Sequence, residues 1–242
     1  CDGNTGTNGQ VLSSTGGAYV KWVAASGGGG GSGGCLKLIA DRNFVSDGSC
    51  SGCNFSGAAD NVLIGQCAGK SITSGKCNIA MGCRAGQSMT SSTGSVFLGN
   101  DAGMNNTGNN NVYIGHESAV YRTSGGDNVF LGRYSGYNST GQTGSWNFGV
   151  GYTVLGGSGN GSNNIALGCA AGQDVTSGSF NILLGGAAGK ELTTGTENIA
   201  LGCCALYGIS GAVTGQQNIV MGKYAGGSVT SGGYNIFFGR NA

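Results

Sequence analysis

A five-residue pattern of asparagine, three mostly apolar residues and glycine recurs along most of this chain. Eleven copies begin between Asn61 and Asn235, with Ser95 replacing asparagine in one of them. Seven of the ten intervals between copies have the same 17-residue length, as from Asn61 to Asn78, and the others are one position shorter or two to three positions longer. The changes in length therefore fall outside the pattern itself. A fixed period of this size is typical of proteins built from stacked structural repeats.

Each copy predicts one coil of a solenoid. The apolar run is short and rich in β-branched residues, glycine ends it, and a corner such as Ala68-Gly69 or Ala188-Gly189 commonly follows. A helix is excluded because short apolar runs broken by glycine cannot sustain a 3.6-residue period. We therefore predict an all-β parallel β-solenoid (a β-roll or β-helix) of about eleven 17-residue coils over residues 61–242. Stacked at about 4.8 Å, these coils form a rod roughly 50 Å long.

The composition requires such periodic order and excludes several classes of partner. The chain has 54 glycines and no proline, and glycine loses the most backbone freedom on folding, so dense and regular hydrogen bonding must offset that loss. A net charge of +1 and only 9% charged residues give no basic surface for nucleic acid. No apolar stretch approaches the roughly 20 residues of a membrane span, so we expect neither nucleic acid nor a membrane span.

We number the positions of each copy from the asparagine, which is position one. The recurrence of asparagine at this position predicts a column of stacked amide side chains. Directly superposed asparagine side chains can donate hydrogen bonds from one coil to the next, as in the ladders of cross-β structures. The predicted ladder consists of Asn61, Asn78, Asn111, Asn128, Asn164, Asn181, Asn198, Asn218 and Asn235.

Position three carries an apolar stripe that we expect to face outward. Alternation along a strand places positions two and four on one side and position three on the other, and we assign positions two and four to the core. A stripe of roughly 500 Å² lies at the upper end of what a soluble monomer exposes, which favours self-association. The alternative is a wider coil that wraps both faces of the strand within one chain. The proposed self-association stripe contains Leu63, Phe97, Tyr113, Phe130, Leu183, Val220 and Phe237.

The sixty residues before the repeats divide into three segments. Residues 1–25 contain two short strand-like runs around a glycine turn and predict a connecting hairpin. Residues 26–34 are a Gly/Ser linker by composition. Residues 35–60 are richer in cysteine and apolar residues and predict an irregular capping coil, because a solenoid needs a covered end.

The ten cysteines favour disulfides or free core thiols over a metal site. Cys67 and Cys83, at positions seven and six of adjacent coils, form the candidate disulfide. Zinc is the competing interpretation of Cys50-x-x-Cys53, but a second close pair is missing and the one histidine, His116, is distant in sequence. No carboxylate pair recurs, so we assign no catalytic, cofactor or metal residues and expect that the chain is not an enzyme.

Two further surface features are open to a binding interpretation. A threonine recurs at position 13 and is typical of a turn, although a flat threonine face is also a feature of ice binding. Four Asn-x-Ser/Thr sequons allow glycosylation in a host that glycosylates. They begin at Asn54, Asn105, Asn138 and Asn160.

The repeat is seen most clearly from Asn198 to Leu206, where the order is asparagine, apolar, alanine, apolar, glycine, two variable residues and alanine. This pattern resembles the repeats of phage tail-fibre and tail-spike proteins. It is similar, more loosely, to the head repeats of trimeric autotransporter adhesins. The resemblance implies a parallel homotrimeric rod on a virion or cell exterior, with the chain itself as partner and a cell-surface or glycan receptor as a further one. We therefore expect a structural fibre protein, part of a viral tail fibre or an extracellular filament or adhesin. The alternative is a monomeric ligand-binding β-solenoid, for example one that binds ice or a glycan.

Overall fold

The computed structural model describes residues 10–14, 20–24, 36–39, 42–46, 50–137, 141–157 and 160–242. Within these ranges the chain is all β, with strands joined by turns and bends. Strands β1 (Gln10–Ser14) and β2 (Val20–Ala24) form an antiparallel pair of their own. The linker predicted at 26–34 lies outside the described residues.

The remaining strands form one 13-stranded sheet in which neighbours in sequence are neighbours in space. β3 (Leu36–Ile39) pairs antiparallel with β4 (Asn43–Ser46), and every later pairing is parallel. The later strands each span three residues: β5 (Val62–Ile64), β6 (Ile79–Met81), β7 (Val96–Leu98), β8 (Val112–Ile114), β9 (Val129–Leu131), β10 (Phe148–Val150), β11 (Ile165–Leu167), β12 (Ile182–Leu184), β13 (Ile199–Leu201), β14 (Ile219–Met221) and β15 (Ile236–Phe238).

These strands stack in register, so that each repeat position lies over the same position of the next coil. Ile165 pairs with Ile182, and Ile182 pairs with Ile199. The predicted β-solenoid of about eleven 17-residue turns is therefore confirmed. The 20-residue coil keeps the register by forming an extra turn, after which Val213 bridges back to Leu192 of the coil before it.

The glycine at position five is required by the backbone. All eleven copies have a positive φ there, between 111° and 145°. A Cβ at Gly82 would lie 2.3 Å from the carbonyl oxygen of Gly99 in the next coil. Any side chain at this position would therefore push adjacent coils apart.

Position seven also has a positive φ in every copy, although no copy has glycine there. The φ values lie between 52° and 59°, in the left-handed region that non-glycine residues rarely adopt. A backbone bond between coils holds the conformation: the N–H of Arg84, for example, donates to the carbonyl oxygen of Gln66 at 2.7 Å. Stacking thus stabilises a corner that single-residue preferences would not predict.

The core of the coil is formed by position three, by position eight, which is alanine in most copies, and by apolar residues such as Ile72 and Leu192 at position twelve of several coils. Phe97, Ala102, Phe130 and Leu183 are fully buried. The expectation that position three faces outward is therefore wrong. Within the predicted stripe, side chains with no exposed surface are those of Leu63, Phe97, Tyr113, Phe130, Leu183 and Val220, and only Phe237, in the last coil, is half-buried.

The reason for this reversal is the asparagine ladder. Positions one and three point to the same side of a strand, and the asparagine amides point inward, where Asn181 Nδ2 reaches the carbonyl oxygen of Gly195 across its own coil at 2.9 Å. Position three must follow them into the interior. Positions two and four, which the sequence analysis assigned to the core, then face away from it.

Candidate functional site

Within the described residues, the asparagine column is an internal scaffold whose side chains, except at the last coil, are already engaged in hydrogen bonds between coils. The backbone N–H and the Nδ2 of Asn181 both donate to Oδ1 of Asn164, each at 3.0 Å, and the same contacts recur from coil to coil. The ladder also includes Asn43 and Asn147, which the sequence analysis did not assign to it. It is interrupted at Ser95, whose hydroxyl accepts the backbone N–H of Asn111 at 3.2 Å.

The outer face of the sheet is the largest candidate site. It consists of the side chains at positions two and four, and all 22 of them are apolar. Ile79, Met81 and Ile165 are 37%, 41% and 41% exposed. We call this surface the outer apolar face; position two contributes Val62, Ile79, Val96, Val112, Val129, Phe148, Ile165, Ile182, Ile199, Ile219 and Ile236, and position four contributes Ile64, Met81, Leu98, Ile114, Leu131, Val150, Leu167, Leu184, Leu201, Met221 and Phe238.

A second candidate site is a tyrosine groove on another side of the coil. Position ten holds Tyr137, Gly156 and Gln173 in three successive coils, so the absent side chain of Gly156 leaves a notch between its neighbours. The ring centroids of Tyr134 and Tyr137 are 5.2 Å apart in an edge-to-face arrangement. Asp174 lies at the far side of the notch, where burial and the nearby Glu191 raise the pKa of its carboxyl group.

The candidate disulfide is not formed. All eight described cysteines are free thiols, including Cys67 and Cys83. In-register stacking explains this, because position six lies over position six: the Cys83 thiol is 3.8 Å from Oε1 of Gln66 rather than near Cys67. A difference of one position in the repeat is enough to separate the two sulfur atoms.

The threonine column belongs to the turns between coils. The hydroxyl of Thr73 donates to the carbonyl oxygen of Thr90 at 3.1 Å, and Thr176 does the same to Thr193. These hydroxyl hydrogens therefore serve the coil stack. This geometry offers no support for an ice-binding face.

Three of the four sequons fall on described residues. Asn54 and Asn160 are exposed and Asn105 is half-buried, whereas Asn138 lies outside the described residues. The amide of Asn54 donates to the carbonyl oxygen of Lys70 at 3.0 Å, and Oδ1 of Asn160 accepts the backbone N–H of Thr143 at 3.2 Å. Both side chains hold the loops between coils.

Among the described residues, the titratable side chains do not converge on one centre. His116 packs edge-on against Tyr134 and has Glu117 as its neighbour, with Nδ1 and Oε1 3.7 Å apart. The described part of the chain contains no group of three or more metal-ligating residues. It also contains no helix with the length and apolarity needed to cross a membrane.

Comparisons of the chain with family models, characterised proteins and solved structures find no match.

Proposed function

We propose that this chain is a structural fibre protein, a β-solenoid rod that self-associates along the outer apolar face. The observation that carries the proposal is the composition of that face, on which 22 of 22 outward side chains are apolar. A surface about 50 Å long and about 10 Å wide lies at the upper end of what soluble monomers leave uncovered, and patches of that size are commonly interaction sites.

The geometry of the face favours a second copy of this chain as its partner. The side chains form two parallel columns with a rise of about 4.8 Å per coil. A partner whose side chains interdigitate over the full length must have the same axial repeat, and another copy has it. Identical columns can interlock as in the dry interfaces between cross-β sheets, and the face has no charged residue that would oppose the approach of a like surface.

The oligomeric state and the biological setting are proposed from the resemblance of the repeat to those of phage tail fibres and trimeric adhesins. Three copies with their outer apolar faces turned towards a common axis would bury all three faces, so we propose a homotrimer. The same resemblance favours a segment of a viral tail fibre, or an extracellular filament or adhesin, located on a virion or cell exterior.

Light scattering coupled to size-exclusion chromatography tests the proposal. The expected mass is three times the 23.8 kDa of one chain. Changing Ile165→Glu together with Leu167→Glu places two charges on the face and should reduce the mass to that of one chain without loss of β structure. The matched control is Ile209→Glu, since Ile209 is 63% exposed but lies in a loop outside the face. A wild-type mass of 23.8 kDa would overturn the proposal.

A monomeric ligand-binding solenoid is the second candidate, and the tyrosine groove favours it. Tyr134 and Tyr137 supply amphipathic rings, while Gln173 and Asp174 supply hydrogen-bonding groups across the notch. Such a lining suits a glycan, whose sugar rings have an apolar face and a rim of hydroxyls. A monomeric mass, together with glycan binding that is lost in Tyr137→Ala, would select this function over the fibre.

A further inference from the structure

One coil breaks the rule that position twelve is neutral. This position holds Ile72, Met89, Val175 and Leu192 in other coils, and in the coil that begins at Asn111 it holds Arg122. Arg122 is only 3% exposed and lies inside the solenoid. Arginine remains protonated in proteins, so the core of this coil contains a full positive charge.

The described groups around the guanidinium of Arg122 are all uncharged, and they include the hydroxyl of Tyr113. Nη1 donates to Oε1 of Gln142, and Nη2 donates to the carbonyl oxygen of Gly144 at 2.9 Å. The Cζ atom lies 4.8 Å from the centroid of the Phe130 ring. No ion pair involving Arg122 occurs among the described residues, whose ion pairs are formed by other basic side chains.

Tyr113 does not supply the missing negative charge. Its hydroxyl accepts a hydrogen bond from Nδ2 of Asn106, in the preceding coil, at 3.4 Å. Burial raises the pKa of Tyr113 to about 12, so the phenol stays neutral near pH 7. The cation is therefore uncompensated by the described residues of this chain, and an unpaired buried charge is strongly unfavourable.

Two observations indicate how the charge is balanced. Nε is buried and has no hydrogen-bond partner, although Nη1 and Nη2 have partners and the Tyr113 hydroxyl lies close to the guanidinium. Arg122 also lines a small cavity between coils, whose other lining side chains are the polar Asn147, Asn164 and Thr176 and the apolar Leu155 and Val175. The cavity has room for about one water-sized occupant. Because Arg122 lines this space and has a buried donor without a partner, the space is suited to a small anion.

We propose that the cavity beside Arg122 binds one monovalent inorganic anion of the size of chloride or bromide, which acts as the counter-ion of the buried guanidinium. Larger oxyanions and carboxylates do not fit the space. Because residues of several stacked coils form the cavity, it exists only in the folded chain, and the anion binds the folded chain but not the unfolded one. The proposal does not depend on self-association.

Thermal unfolding of the whole chain in mixtures of sodium chloride and sodium gluconate tests the proposal, since gluconate keeps the ionic strength constant and does not fit the cavity. A ligand that binds only the folded state lowers the unfolding equilibrium constant about tenfold for each tenfold rise in its concentration above Kd. We expect this dependence in the wild-type chain and not in Arg122→Met. The control Arg133→Met, which removes an exposed arginine that lies over the Tyr134 ring, should retain it.

Bromide then locates the site directly. Crystals of the unchanged chain grown in sodium bromide should show an anomalous scattering peak within hydrogen-bonding distance of the Arg122 guanidinium. Equal chloride dependence in the wild-type chain and Arg122→Met, or a map without a peak beside Arg122, would overturn the proposal, because a water molecule would then occupy the cavity. If Arg122→Met does not fold, the bromide map decides alone.

Discussion

The ring of Phe130 occupies the space into which a side chain at Gly149 would project. The two residues are position-three neighbours in adjacent coils and pair directly in the sheet. A Cβ at Gly149 would lie 2.8 Å from Cδ1 and from Cε1 of the ring. Phe130 thus fills part of the core of two coils, which explains why one copy of the repeat tolerates glycine where the others have an apolar side chain.

We expect Gly149→Val to destabilise the chain by about 1–3 kcal/mol, because overpacking forces the ring of Phe130 and its neighbours to move. Phe130→Ala should cost about 3–5 kcal/mol through the cavity that it leaves. The double variant should be more stable than the sum of the single effects predicts, because the valine fills part of that cavity. Urea unfolding measures the three free energies; strictly additive losses would contradict the shared space.

The asparagine ladder predicts that the stability lost when an asparagine is replaced depends on where its coil lies in the rod. Asn181→Ala removes its own donors and also the Oδ1 that accepts the backbone N–H and Nδ2 of Asn198. Each buried group left without a partner costs about 1–3 kcal/mol, so we expect a loss of at least about 3 kcal/mol. The matched change Asn235→Ala, in the last coil, should cost only about 1 kcal/mol, since no described residue donates to its Oδ1. Equal losses in urea unfolding would argue against the ladder as the source of stability.

The direction of position three predicts that a charge at Phe97 unfolds the chain. Phe97 has no exposed surface and stacks on Tyr113 with ring centroids 5.1 Å apart. Phe97→Glu buries an unpaired carboxylate, so we expect loss of the β-sheet circular dichroism signal rather than separation of intact chains. A folded Phe97→Glu monomer would instead place position three at an interface. The comparison with Ile165→Glu, which should stay folded, separates the two faces of the strand.

Tyr113 predicts a loss of stability at alkaline pH. Its folded pKa is raised from 10.0 to about 12, mainly by burial, so the unfolded chain releases the proton first as the pH rises. The free energy of unfolding therefore includes a contribution that is complete below pH 10 and is lost between pH 10 and about 12. The slope is about 1.4 kcal/mol per pH unit. Unfolding midpoints across this range should fall more steeply for the wild-type chain than for Tyr113→Phe; parallel curves would refute the assignment.

Several features of the fold could be predicted because they depend on the repeat alone. The 17-residue period, the parallel stacking and the glycine corner at position five follow from residues such as Gly65 and Gly82 that recur at fixed spacing. The inward direction of position three was also accessible, since position one shares its side of the strand. The sizes of the side chains were a second signal. Position three ranges from Gly149 to Phe130, as in a core where a large side chain compensates for a small neighbour, whereas positions two and four have no small residue.

The amino-acid sequence by itself determined that this chain stacks in equal coils, because a repeated pattern of asparagine and glycine has few other ways to satisfy its backbone hydrogen bonds. A three-residue strand that is apolar on both sides has no amphipathic signal of its own, so only the neighbouring asparagine indicates which apolar column is the core. The tertiary structure alone decided that Cys83 lies over Gln66 rather than Cys67 and that Arg122 is buried. Such relationships depend on the register between coils, and that register is set by the packing of the whole rod.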